Sequence, residues 1–307
     1  MAKISTEDIY AEVNARVLDA LSKGTAPWQK PWSGGSAGAP RNLQSGKPYR
    51  GINALLTALS GYSDPRWTTA PAAFKMEGRI RKGEKSTLLT LWKRIIVKDA
   101  DAPDGQKVIL MLRYFRVFNV EQIDWPEGAV KPLPTPEPAG DWDGHTEAEQ
   151  VLSHFMALDN APKLSTRDSD AACYVPMLHE LRMPASERFW TAEGFYGTLF
   201  HECAHATGHK SMLNRADAFG GGFGSDPYAR EELVAEMASA FVCAAIGLDG
   251  GFDNTVAYLK NWQRRIANDP KLIVQAAGRA QKAADLILGT EFTEDPAPVA
   301  DREAVTC

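Results

Sequence analysis

The stretch His201-Glu202-Cys203-Ala204-His205 constrains this chain more than any other. Residues four apart in an α-helix lie one above the other on one face, so the spacing suits a helix that offers two imidazoles to one metal ion. Glu202 stands a step further round, beside the water such an ion activates, and is assigned as the catalytic base. That helix must also be held in a core. From Thr191 to His209 the sequence has the signs of one: Thr191 as N-cap, Glu193 in the first turn where the helix dipole favours an acid, and Phe195, Leu199 and Ala206 at helical spacing.

A catalytic zinc takes three protein ligands and keeps one position open, so a third ligand is needed. His209 is one candidate, but the extended HExxHxxGxxH pattern puts its last histidine where Ser211 stands; His209 reads better as a helix-end group supporting the ligands. A second helix is predicted from Asp226-Pro227 to Gly247, with an aspartate cap and proline in the first turn. On it Glu232 and Glu236 share a face, whereas Glu231 is turned away and is expected in solvent. The assignment is His201, His205 and Glu232 on the metal, with Glu236 behind them, hydrogen-bonded to a ligand histidine. The alternative is that these acids are only the solvated face of an amphipathic helix. Zn2+ is the expected cofactor, or another divalent ion such as Mn2+.

Charge divides the chain. Residues 1–130 carry 19 Lys and Arg against 13 Asp and Glu, and residues 131–307 carry 15 against 26. A basic half tethered to an acidic one suggests a polyanionic partner for the first. Aromatic rings are interleaved with those cations: Trp28, Lys30 and Trp32 in a proline-punctuated loop, then Tyr49, Arg50, Asn53 and Trp67, then Arg79, Arg81, Lys82 and Lys85. Cations for phosphates and rings for bases are what single-stranded DNA binding uses. By composition alone the tryptophans serve equally well as core anchors.

Longer motifs resemble one family. His201-Glu202-x-x-His205-x-Thr207-Gly208-His209, followed by Tyr228-Ala229-Arg230-Glu231-Glu232-Leu233-Val234-Ala235-Glu236, is similar to the zincin-like domain of the ArdC antirestriction proteins of conjugative plasmids. Pro27-Trp28-x-Lys30-Pro31-Trp32, Tyr49-Arg50-Gly51-x-Asn53, Gly78-x-x-Arg81-Lys82-Gly83-Glu84 and Val117-Phe118-Asn119-x-x-Gln122 resemble that family's single-stranded-DNA-binding domain. Tyr174 to Pro184 resembles the edge-strand region ahead of the metal helix, with His179 where the family has an aspartate. The resemblance implies antirestriction, the protection of incoming plasmid DNA, with single-stranded DNA as partner and a protein substrate or host restriction enzyme as a second partner class. The competing readings are a DNA-coating protein whose metal site is structural or vestigial, and a regulatory metalloprotease acting on DNA-bound proteins. A metal-dependent nuclease fits less well, since a glutamate base on such a site suits carbonyl hydrolysis.

The expected fold class is α+β. Residues 1–125 form a basic domain with an antiparallel sheet, residues 126–143 a Pro-rich linker, residues 144–292 a mostly helical zincin-like domain with a small sheet, and residues 293–307 a disordered tail. A helix over 6–21 capped by Ser5, a short helix over 53–60, strands over 86–92, 95–98 and 108–117, and a turn at 102–105 are predicted in the first half. Cys173, Cys203, Cys243 and Cys307 form no CxxC pair, and no apolar run reaches membrane-spanning length, so a cytoplasmic protein with reduced thiols is expected.

Overall fold

The structure, a computed structural model, describes residues 5–23, 40–98, 106–131, 133, 145–168, 171–189, 191–215, 226–248 and 256–290. The predicted tail, the 102–105 turn, Trp28, Lys30, Trp32 and most of the Pro-rich linker lie outside them.

The first half begins with α1 (Thr6–Ser22), where Ser5 and Asp8 exchange the two bonds of a capping box. Its predicted stripe of Ile9, Val13, Val17 and Leu21 is buried. There follow β1 (Arg41–Asn42), α2 (Ile52–Ala58), β2 (Arg66–Thr68), α3 (Ala70–Lys75), β3 (Arg79–Ile80), β4 (Thr87–Lys98), β5 (Gln106–Asn119) and β6 (Ile123–Asp124). One sheet has the order β1-β2-β5-β4, and β3 pairs separately with β6. The break expected between residues 92 and 95 is absent. β4 pairs with β5 without interruption from Thr87↔Val117 to Lys98↔Gln106. Lys93 and Arg94 are exposed; a ladder needs only their backbone, so charge there does not end the strand.

The second half runs α4 (Thr146–Met156), β7 (Lys163–Arg167), β8 (Cys173–Val175), β9 (Glu180–Pro184), α5 (Ala192–Thr207), α6 (Asp226–Ala245), α7 (Val256–Asn268) and α8 (Leu272–Leu288). Its sheet has the order β7-β9-β8, which leaves β8 as an edge beside α5. Small side chains let α6 lie close on α8: Ala235, Ala238, Ala277, Ala280 and Ala284 are fully buried. The class is α+β, as expected.

The two halves do not hold separate cores. α1 packs on α7, and one hydrophobic cluster runs from Ile9 through Leu55 and Leu89 to Phe200 and Ile287. Polar ties reinforce the join: Asn14 Nδ2 donates to the Pro270 carbonyl at 3.0 Å, the Gly51 N–H donates to Gln281 Oε1 at 2.8 Å, and Arg50 pairs with Asp285. Among the described residues no helix is long and apolar enough to cross a membrane.

Candidate metal centre and cationic surface

Thr191 caps α5 by accepting from the Gly194 N–H at 3.1 Å, and Glu193 occupies the first turn. The cap sets the helix phase, and burial of Leu199, Phe200, Cys203, Ala204 and Ala206 fixes which face looks inward. His201 and His205 then lie one turn apart beside α6. Their Nε2 atoms are 3.1 Å from each other. Glu232 of α6 completes the triangle, with Oε2 at 3.6 Å from His201 Nε2 and Oε1 at 3.4 Å from His205 Nε2.

The size of that triangle tests its fitness for a metal. An ion held at about 2.0–2.1 Å by tetrahedral donors keeps them about 3.3 Å apart. Separations of 3.1, 3.4 and 3.6 Å therefore match one face of such a tetrahedron, with the fourth vertex open. Two imidazoles and a carboxylate are also the donor set a catalytic divalent ion takes. Among the described residues these three form the cluster able to hold an ion.

The electrostatics of Glu232 and His205 agree. Burial would raise the Glu232 carboxyl, but the hydrogen bonds and charges of His201 and His205 overcome it and hold the group far below the carboxylate range. Burial would likewise depress His205; Glu231 and Glu232 outweigh it and push the imidazole up to about 10.

Glu202 is 8% exposed, and its Oε2 accepts the Tyr174 backbone N–H of β8 at 2.6 Å. The edge strand thus fixes one carboxylate oxygen beside the cluster. Tyr228, one turn before Glu232 on α6, hydrogen-bonds that glutamate; burial first, then Glu232, raises its phenol.

Glu231 departs from expectation. It is 3% exposed, not solvated. Arg215 grips it at 3.0 Å through Nε and 2.6 Å through Nη2, while also donating to Thr207 Oγ1 at 2.9 Å and the Ala204 carbonyl at 2.8 Å. Glu231 Oε1 lies 3.6 Å from His205 Nδ1. The carboxylate behind His205 Nδ1 is therefore Glu231, a place the helix pattern did not give it. Glu236 is buried a turn beyond Glu232. The packing of α6 on α5 turns both Glu231 and Glu232 inward, one to each side of the histidine ring. Arg215 was not anticipated, because no local pattern marks an arginine 16 residues from its acid. His209 lies outside the triangle: its ring stacks on His179 with centroids 4.0 Å apart, and its Nδ1 meets Ser211 Oγ at 2.8 Å.

The proposed DNA-facing residues separate into two groups. Trp67 is 2% exposed, edge-on to Tyr62, and belongs to the core. Asn53 ties α2 to β4: its Nδ2 donates to the Thr90 carbonyl at 2.6 Å and its Oδ1 accepts the Thr90 N–H at 2.7 Å. Arg50 is drawn to Asp285 of α8, and burial pushes the half-buried Tyr49 phenol up to about 12. All four make contacts that hold the fold together. Arg79, Arg81, Lys82 and Lys85 are exposed on β3 and the turn after it. Gln122 shapes that turn by donating to Glu84 Oε2 and the Lys85 carbonyl, both at 3.0 Å, and Gly83 supplies its φ of +93°.

A family model for the N-terminal domain of anti-restriction factor ArdC matches residues 7–120, and one for zincin-like metallopeptidases matches residues 151–279. The chain is 34% identical over 310 aligned positions, 95% of its length, to a DNA primase TraC of Escherichia coli. It spans only 28% of that primase. An uncharacterized protein y4eC of Sinorhizobium fredii is 30% identical, with 91% of each chain aligned. Among solved structures, the metal-free antirestriction ArdC protein from plasmid R388 superposes with a TM-score of 0.72 at 34% identity, covering 92% of this chain and 97% of that one. Its Mn(II)-bound form gives 0.71 at 33% identity, covering 92% and 98%.

Proposed function

This chain belongs to the ArdC family of antirestriction proteins, and we propose that it binds single-stranded DNA through its basic half and carries a divalent-metal peptidase-type site in its acidic half. By that reading it protects incoming plasmid DNA from host restriction. The observation that carries the site is the His201, His205 and Glu232 triangle, sized for an ion, with Glu202 beside it. His201, His205 and Glu232 would hold the ion, zinc or another divalent such as the Mn(II) bound by the R388 protein. Such an ion would polarise a carbonyl and acidify a water.

The chain's own groups supply the rest. The Tyr174 N–H occupies Glu202 Oε2, which leaves Oε1 as the atom to take a proton. Glu231, held by Arg215, stands at His205 Nδ1 and so turns Nε2 toward Glu232. On the other half, the exposed Arg79, Arg81, Lys82 and Lys85 are the cations proposed to follow phosphates.

One substitution separates cleavage from coating. Glu202→Gln should leave one divalent ion per chain and DNA affinity unchanged, because Glu202 is not among the ligands. Protection should survive it in a transfer assay against a restricting host, since a DNA-borne mechanism need not recognise each nuclease. Loss of protection in Glu202→Gln with DNA affinity intact would instead make the peptidase chemistry the active agent.

A further inference from the structure

On the basic half an open cleft of about 610 Å3 lies between the end of α3 and the residues after β6. Trp125 forms one wall. Its indole N–H is spent on the Val120 carbonyl at 3.0 Å, which fixes the ring without using its face. The ring rests on the backbone of Gly78: a Cβ there would meet ring carbons at 2.7 and 2.8 Å, so any larger residue would displace it. Phe74, also lining the cleft, is 60% exposed, which leaves its ring available to a second ring. Arg79, Glu77 and Asp124 complete the rim, and Arg79 pairs in register with Asp124 across β3 and β6. From Arg79 the chain runs directly into the exposed Arg81, Lys82 and Lys85, which make no ion pair to a carboxylate beyond those of Arg81 among the described residues.

We infer that this cleft takes one unpaired base of single-stranded DNA, stacked on the Phe74 and Trp125 rings while the strand's phosphates run along Arg79, Lys82 and Lys85. Every base has a π-face, so stacking there tolerates sequence. The rim carboxylates add a bias. Glu77 and Asp124 accept hydrogen bonds, and cytosine, adenine and guanine offer an exocyclic amino group where thymine offers none. The site thus prefers amino-bearing bases to thymine. This rests on the reading above that the basic half binds single strands.

The test uses the full chain and fluorescently labelled d(C)12 and d(T)12, with affinity measured by anisotropy across a salt series. Phe74→Ala should weaken d(C)12 binding by about tenfold without changing the slope of log affinity against log salt, because a ring and no cation is lost. Phe74→Tyr should restore it, and Gly78→Ala, which pushes Trp125 aside, should copy the loss. Glu77→Gln with Asp124→Asn should narrow the preference for d(C)12 over d(T)12. If wild type binds single strands with a steep salt slope and Phe74→Ala binds equally well, the cleft is overturned and the DNA reading stands. If wild type binds neither oligonucleotide at low salt, both fall together.

Discussion

Replacing Glu231 by alanine should be among the most damaging single changes in this protein outside the proposed metal ligands. The Arg215 guanidinium is 8% exposed, and Glu231 is its only carboxylate partner among the described residues. After the substitution the arginine keeps only Thr207 Oγ1 and the Ala204 carbonyl, neither of them charged. Removing one partner of a buried pair costs about 3–5 kcal/mol, because the other charge is left uncompensated. His205 also loses the carboxylate 3.6 Å from its Nδ1. Loss of such an orienting partner lowers metal affinity by about 10–100-fold. Urea denaturation of the metal-free protein reads the first effect, and chelator competition with Zn2+ or Mn2+ the second. Glu231→Ala with Arg215→Met should recover much of the stability, since no lone charge remains, but not the metal affinity. A loss below about 1 kcal/mol with unchanged metal affinity would refute the buried ion pair, matching instead the solvated glutamate that helix phase alone suggests.

Protons should compete with the ion. His205 rises from 6.5 to about 10 in the metal-free fold, so its contribution to stability is fully present below pH 6.5 and disappears as pH rises through about 10. Within that window metal uptake should expel a proton, detected by calorimetry in buffers of different ionisation enthalpy; uptake with no buffer dependence would contradict the shift. The two classes of residue first grouped as DNA-facing should part under mutation. Trp67→Ala should cost about 3–5 kcal/mol of stability. Lys82→Ala and Lys85→Ala should leave stability alone and flatten the salt slope for single strands by about 0.7 each. A flattened slope in folded Trp67→Ala would reverse that division.

What the sequence determined by itself was whatever rests on local geometry. Two histidines four residues apart share a helix face in any context, and Thr191 and Ser5 cap helices because a side-chain oxygen meets free N–H groups a turn later. The apolar stripe of α1 and the paired β4 and β5 were legible for the same reason. Other features depended on which elements meet. The inward turn of Glu231 comes from how α6 packs on α5, and its arginine arrives from a separate stretch of chain. Arg50 and Asn53 look like binding residues in one dimension, yet α8 and β4 claim them. Trp67 illustrates the ambiguity most plainly: an indole beside an arginine serves equally well to stack a base or to fill a core. Only the packing around it, which leaves 2% of its surface to water, decides between the two.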